Sequence, residues 1–296
     1  MVRFVNAKIN LGLNIIRKRA DGYHELETLF YPVGLYNGTP ENPQPFNDIL
    51  EVDLLADCGE VDFHFLGNPI DCPMEKNLVV RAARLFHSLF TQRYGATRQI
   101  IVTLEKHIPD GAGLGGGSAD ASFTLMMLNE LHGNPFAKEE LIEMAASLGA
   151  DCPFFIENRP VLATGIGEIM KPIEADLAGK WAVIAKPNIY VSTREAFSGI
   201  TPRIPDKTIS EIIRLPIEEW EAAGLKNDFE RHIFALHPRL KEIKDELKAR
   251  GALYAAMSGS GSSLFGIFSG KEEAETAYNN LKDKLDAADK IFICKL

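Results

Sequence analysis

Residues 109–118 read Pro-Asp-Gly-Ala-Gly-Leu-Gly-Gly-Gly-Ser, with five glycines in the seven positions from Gly111 to Gly117. Glycines this dense leave backbone N–H groups uncovered and let a ligand come close. The run that follows, Ser118 to Leu131, is apolar nearly all round and reads as a buried helix. Its first amides and the positive end of its dipole would join the glycine backbone in a cradle for phosphate oxygens. Ser118 is expected to cap that helix and to offer its hydroxyl to a phosphate or to Mg2+.

Three readings of the loop compete. Gly111, Gly113 and Gly116 fit G-x-G-x-x-G, the dinucleotide fingerprint. That fold needs a second strand and an acidic residue about 20 residues on, whereas this sequence runs from helix to helix through Asn134-Pro135. A Walker A loop needs Gly-Lys-Ser/Thr, which is absent. A tight packing turn stays open, although glycines directly before a buried helix are a costly choice for packing alone.

Four further places carry chemical side chains. Asp151, in Gly149-Ala150-Asp151-Cys152-Pro153, follows a helix and is either a cap or a carboxylate base. Lys8 lies in an apolar strand, an awkward place for an ammonium unless it is paired or reaches the surface. Tyr23 and His24 follow the charged turn Arg17–Gly22 and offer a ring face and a hydrogen-bonding edge. A second glycine-rich turn spans Met257-Ser258-Gly259-Ser260-Gly261-Ser262-Ser263.

Taken together, these segments resemble the GHMP kinase superfamily, named for its galacto-, homoserine, mevalonate and phosphomevalonate kinases. The superfamily's phosphate loop, Pro-x-x-x-Gly-Leu-Gly-x-x-Ser, is met by Pro109, Gly113, Leu114, Gly115 and Ser118, and Ala119 follows. Ala7–Leu13 and Met257–Ser263 resemble its two other motifs and stand in the expected order. The strings AKINLGLNI (7–15), RADGYHELETLF (19–30), NLVVRAARLF (77–86) and LGADCPFF (148–155) narrow the resemblance. They point to the branch that phosphorylates the 2-hydroxyl of a cytidine diphosphate derivative of methylerythritol, in the non-mevalonate route to isoprenoid precursors. With SGSGSSLFG (258–266) the resemblance spans nearly the whole chain.

The resemblance implies an α+β, two-domain fold: an N-terminal ATP-binding half of ribosomal-protein-S5-like type over 1–160 and an α+β substrate-side half over 161–296. It implies ATP as co-substrate with Mg2+, and Lys8 with Asp151 as the catalytic pair. ATP would be held by Pro109, Gly111, Ala112, Gly113, Leu114, Gly115, Gly116, Gly117 and Ser118, with Asn77, Leu78 and Lys106 at the nucleoside. The cytidyl substrate would meet Asn10, Tyr23, His24, Thr193 and Phe197. Ser258, Gly259 and Ser260 would close over its diphosphate or steady the first glycine loop. Two departures stand out: Ala119 and Asp120 occupy positions where many members carry Ser and Asn, and residues 37–48 split a segment usually continuous. No carboxylate dedicated to Mg2+ is legible, leaving ATP, water and Ser118 as its expected ligands.

The bulk numbers agree with a small-molecule enzyme. The 296 residues are 46% hydrophobic and 25% charged, with a net charge of −9. No basic excess remains for nucleic acid, and no stretch is apolar enough to span a membrane. Four scattered cysteines without a C-x-x-C pair argue against a disulfide framework or a zinc site. Met1–Asn10 lacks a signal-peptide core, so a cytoplasmic protein is expected, and a monomer or homodimer with it.

The elements that must position these residues follow from periodicity. Strands are expected at Val2–Ile16, Tyr23–Leu35, Ile49–Leu55, Val61–Leu66 and Ile100–Leu104. Helices are expected at Asn77–Tyr94, Ser118–Leu131 and Pro135–Leu148. A hairpin over Val161–Ile173 and a strand at Trp181–Lys186 precede helices at 210–214, 217–223, 240–250 and 272–285. The last strands are expected at 254–257, 264–268 and 290–294. The Pro/Asn/Gly-rich tract 37–48 has almost no apolar anchor and reads as an exposed loop. The rival functions are a homoserine or sugar kinase of the same superfamily, a catalytically silent nucleotide-binding relative, and a nicotinamide oxidoreductase.

Overall fold

A computed structural model describes residues 1–35, 46–70, 72–95 and 98–296. The chain opens with β1 (Val2–Val5) and β2 (Ala7–Lys18), then β3 (His24–Val33), β4 (Asp48–Cys58) and β5 (Val61–Gly67). Next come α1 (Leu78–Tyr94), β6 (Arg98–Lys106), α2 (Gly116–Leu131), α3 (Lys138–Leu148) and the short α4 (Cys152–Glu157). Strands β7 (Val161–Thr164), β8 (Ile169–Pro172) and β9 (Trp181–Lys186) lead into α5 (Thr193–Ser198) and α6 (Ile209–Ile212). The chain ends with α7 (Glu230–Leu236), α8 (Pro238–Ala249), β10 (Tyr254–Met257), β11 (Leu264–Phe268), α9 (Lys271–Lys282) and β12 (Lys290–Lys295).

These elements form two compact units. The first comprises Met1–Ala7, Tyr36–Asp110 and Gly115–Asn158; the second comprises Lys8–Leu35, Gly111–Leu114 and Arg159–Leu296. The expected division into consecutive halves at residue 160 therefore differs from the units observed: residues 8–35 and 111–114 group with the C-terminal stretch. Strand pairing decides this, because β2 and β3 share a sheet, ordered β2-β3-β7-β8, with strands beyond residue 160.

In the first unit the sheet order is β1-β4-β6-β5, with β5 parallel to β6 and the other pairs antiparallel. β6 buries alternate residues, Ile100, Val102 and Leu104, as a half-buried strand must. α2 packs against α1, α3 and α4 and against β1 and β4, which explains its nearly continuous apolar surface. Asn129, late in α2, holds the turn to α3: its amide donates to Phe136 O and its oxygen accepts from Phe136 N, both at 3.0 Å. That turn delays α3 to Lys138, three residues later than expected.

Part of the expected loop 37–48 lies outside the described residues. Its last residues are not an exposed loop: Phe46 is buried, and Asp48 opens β4 with its side chain fully covered. Composition suggested a loop here, but Asp48 is covered because the buried Lys106 ammonium pairs with it and offsets the cost of burying its charge.

In the second unit, a further antiparallel sheet ordered β10-β11-β9-β12 carries α8 and α9. Its core gathers Val183, Ala185, Ile243, Leu247, Leu264 and Phe268 with Leu13 and Ile15 of β2. The expected hairpin is present as β7 and β8. The helix expected at 217–223 is only a three-residue 3-10 turn at Ile217–Glu219, while α4, α5 and α7 were not foreseen. These three have six or seven residues each, too few for a helical period to stand out. Among the described residues no helix is long and apolar enough to cross a membrane.

Candidate active site

In the first unit the glycine-rich segment ends on α2. Gly115 occupies the N-cap position in the left-handed conformation, φ 71°, and no side chain caps the helix. The first intrahelical bond runs from Ala119 N to Gly115 O. The amides of Gly116, Gly117 and Ser118 precede it, so they are the donors that a helix cannot satisfy itself. Ser118 is therefore not the cap: it is the third helical residue. An αL position needs a glycine, and the chain places one there in the slot expected for a serine. The result is a helix start with bare, partly positive amides, suited to an anion.

The N-terminus of α4 is tied to this helix start. The Ser122 hydroxyl lies 2.7 Å from Cys152 O and 2.9 Å from Ser118 O. Burial pushes the Cys152 thiol up to about 11. It stays a neutral thiol and does not compete with a neighbouring carboxylate for charge. Asp151 occupies the N-cap position of α4, yet its carboxylate makes no capping hydrogen bond. The bland reading of Asp151 as a helix cap is thus absent from the structure.

Asn77 and Leu78 begin α1. The Asn77 side chain accepts from Val79 N at 2.9 Å, a standard cap. Leu78 Cδ1 stands 3.9 Å from where a Cβ on Gly117 would be, so the start of α1 abuts the start of α2. Lys106, expected at a nucleoside, has its ammonium engaged elsewhere. Only 2% exposed, it contacts Asp48 and, at 2.8 Å, Asp120, with Asp110 at 3.9 Å. Asp48 also accepts from His107 N at 2.6 Å and Ile108 N at 2.7 Å. This cluster escaped the sequence reading. Its one signal was Asp120, the departure from the superfamily pattern.

The second unit holds the other half of the glycine-rich segment, Gly111–Leu114. Three consecutive carbonyls there accept hydrogen bonds: Ala112 O from Ser263 N (3.2 Å), Gly113 O from Ser258 Oγ (2.8 Å) and Leu114 O from Lys8 N (2.9 Å). Gly113 has φ 75°, and a Cβ on it would stand 2.0 Å from Ser258 O. No larger residue fits. The second glycine-rich turn is thereby a support for the first.

Lys8 and Asn10 stand on β2. The Lys8 ammonium donates to Asn10 Oδ1 at 2.7 Å and lies 4.6 Å from the Phe30 ring centroid. It is 3% exposed, so it does not snorkel. Asn10 passes the order on, donating to Thr28 Oγ1 at 2.9 Å, and Thr28 donates to Gly12 O at 2.7 Å. The Asn10 side chain orients a lysine.

An aromatic surface forms where β3 meets α5. His24 stacks on Phe197 at 4.8 Å, and Phe197 meets Phe229 edge-on at 4.9 Å. Burial, then the charge of Lys18, hold the His24 imidazole below its usual range. Tyr23 is exposed beside His24, and Thr193 is the exposed first residue of α5. The structure thus brings His24 and Phe197 together across the chain.

Comparison with known proteins gives a consistent result. The family profile for the GHMP kinases N terminal domain matches residues 77–159, and that for GHMP kinases C terminal matches 211–287. A protein of Bacteroides fragilis called 4-diphosphocytidyl-2-C-methyl-D-erythritol kinase is 49% identical over 274 residues, covering 92% of this chain and 94% of its own. One of the same description from Desulfotalea psychrophila is 41% identical, covering 88% and 83%. A crystal structure of 4-(cytidine 5'-diphospho)-2C-methyl-D-erythritol kinase superposes over 100% of both chains, with TM-score 0.75 and 33% identity. Homoserine kinase from Cytophaga hutchinsonii, at 18% identity and TM-score 0.67, shares the fold.

Proposed function

The chain belongs to the GHMP kinase family, and on that premise we propose that it phosphorylates the 2-hydroxyl of 4-diphosphocytidyl-2-C-methyl-D-erythritol with ATP. This is a step of the non-mevalonate route to isoprenoid precursors. One observation carries the reading: in the first unit, the uncapped start of α2 and the start of α4, where Asp151 stands, are tied by the Ser122 hydroxyl, 2.9 Å from Ser118 O and 2.7 Å from Cys152 O. A phosphoryl donor and a proton acceptor are the two things such a transfer needs near one another.

The roles follow from the chemistry. The amides of Gly115–Ser118 hold the ATP phosphates, with Pro109 and Gly111–Leu114 as the rest of that loop and Asn77 and Leu78 on the nucleoside side. Asp151 orients the acceptor hydroxyl and takes its proton as the new P–O bond forms. ADP leaves with the electron pair of the bond that breaks. Lys8, held by Asn10, supplies positive charge for the transferred group. Ser258, Gly259 and Ser260 act mainly by supporting the loop, since the Ser258 hydroxyl is bonded to Gly113 O. The residues also fit a Mg2+ carried in by the nucleotide. Among the described residues no three His, Cys, Asp or Glu gather as a metal site, and Ser118 is the hydroxyl at the helix start. When bound, the ion offsets phosphate charge.

The test is a coupled ADP-release assay. Turnover is expected with the cytidyl substrate and not with homoserine, galactose or no acceptor. Equal rates with homoserine or a sugar would move the chain to another branch of the family.

The cytidine end is assigned to Tyr23, His24, Thr193 and Phe197. His24→Ala is expected to raise the KM for the cytidyl substrate about 10-fold, or about 1.4 kcal/mol, and to leave the KM for ATP unchanged. Because its pKa is depressed, His24 is still mostly neutral at pH 6.5, the ordinary value. The wild-type KM for this substrate should rise on acidification with its midpoint below that pH. A rise already complete at 6.5 would remove His24 as the neutral hydrogen-bonding group.

A further inference from the structure

Asn227 has no role in the roles assigned above, yet it is 2% exposed and makes three hydrogen bonds. Its Nδ2 donates to Met257 O and to Gly259 O, both at 2.8 Å, and its Oδ1 accepts from Phe229 N at 3.0 Å. Three of the four hydrogen bonds that a side-chain amide can make are thus supplied by one neighbourhood. Here one Asn clamps both sides of Ser258, the residue between the two carbonyls.

Ser258 is the next link. Its hydroxyl has a single proton, and the shorter of its two acceptor contacts, 2.8 Å to Gly113 O against 3.3 Å to Asn10 Oδ1, takes it. The same oxygen accepts from Asn10 N at 3.2 Å. The Ser258 carbonyl lies so close to Gly113 that a Cβ there would be 2.0 Å away. The backbone around Asn227 is fixed in turn by β2. Leu13 N donates to Lys226 O, Asp228 N donates to Leu13 O, both at 2.8 Å, and Asp228 Oδ2 accepts from Ile15 N. Glu230 completes the brace by accepting from Met257 N at 2.8 Å. The segment 226–230 therefore joins the strand bearing Lys8 and Asn10 to the turn that supports Gly113.

We infer that Asn227 is a positioning residue for the phosphate loop, acting through its two donor bonds across Ser258 onto Gly113. The inference rests on the kinase reading. Loss of the donors frees the 257–259 turn, Ser258 no longer holds Gly113 in place, and ATP is held in a displaced loop. A misplacement of about 1 Å is enough to cost a large factor in rate or binding.

Asn227→Asp keeps the acceptor for Phe229 N and turns an oxygen toward both carbonyls in place of the donors, while Asn227→Ala removes the bonds without that repulsion. Asn227→Ala, Asn227→Asp, Ser258→Ala and the packing control Ile243→Val are compared with wild type. The readouts are binding of the nonhydrolysable analogue AMP-PNP by calorimetry, kcat and KM by ADP release, and Tm. Both Asn227 variants are expected to weaken AMP-PNP binding and raise the KM for ATP at least about 10-fold, with a smaller change in kcat. Ser258→Ala should do likewise, and adding it to Asn227→Asp should bring little further loss, since both cut one chain of contacts. Ile243→Val, buried in the same unit, should lower Tm without moving either constant. Wild-type constants in Asn227→Asp, or full additivity with Ser258→Ala, would overturn the inference. A wild type that neither binds AMP-PNP nor turns over would instead remove the kinase reading, and the inference with it.

Discussion

Asp151→Asn is expected to lower kcat by at least about 10²-fold while the affinity for ATP stays within about twofold of wild type. The substitution keeps size and one oxygen, so it can still accept a hydrogen bond from the acceptor hydroxyl. What it loses is the capacity to hold the proton once the oxygen attacks phosphorus. ATP should hardly notice, because its phosphates are assigned to the amides of Gly115–Ser118, backbone groups that the change does not touch. Stability should not fall for want of a cap either, since Asp151 caps nothing. Single-turnover ADP formation with calorimetry on the same preparation separates the two effects. Wild-type turnover would remove Asp151 as the base, and a parallel loss of ATP affinity would make it a structural residue.

The second large effect is on stability. Lys106→Met is expected to destabilise the first unit by about 3–5 kcal/mol, because it leaves Asp48 and Asp120 buried without their cation. The consequence reaches the glycine loop from both sides. Asp48 holds the amides of His107 and Ile108, just before Pro109, and Lys106 holds Asp120, just after Ser118. Hydrogen exchange at His107 and Ile108 reads this directly, and these amides should lose protection in the variant.

Asp120→Asn should behave in the opposite way. Burial, opposed by the Lys106 charge and reinforced by Asp48, raises the Asp120 carboxyl well above its usual range. Its Oδ1 has no hydrogen-bond partner. A carboxyl with a raised folded-state pKa favours folding at low pH, and that contribution is lost as pH rises past 3.8, the unfolded-like value, through the folded one. Asn removes this loss and still offers an oxygen to Lys106. The variant is expected within about 1 kcal/mol of wild type at neutral pH, with a flatter stability profile above 3.8. A loss as large as that of Lys106→Met would show that the second carboxylate is required.

Legibility in the sequence tracked distance along the chain. The phosphate cradle was readable because its cause is local: glycines free the backbone, and an apolar run next to them makes a helix. The long helices and most strands were readable for the same reason, since a period repeats within one segment. Short elements such as α4, at six residues, lacked enough turns to declare themselves. Asp48 was misjudged because its partner lies 58 residues away, and nothing in residues 37–48 signals a buried lysine. Asn227 gave no local sign at all.

The glycine loop was thus set by residue type and spacing, and the family, with the α+β class it implies, by the motifs that carry the resemblance. Which strands share a sheet, and that Asp151 does not cap α4, were decided by tertiary packing. So were the duties of Lys106 and Asn227. Covering a charge or an amide is favourable only when its partners are in place, and those partners come from elements that only folding brings together.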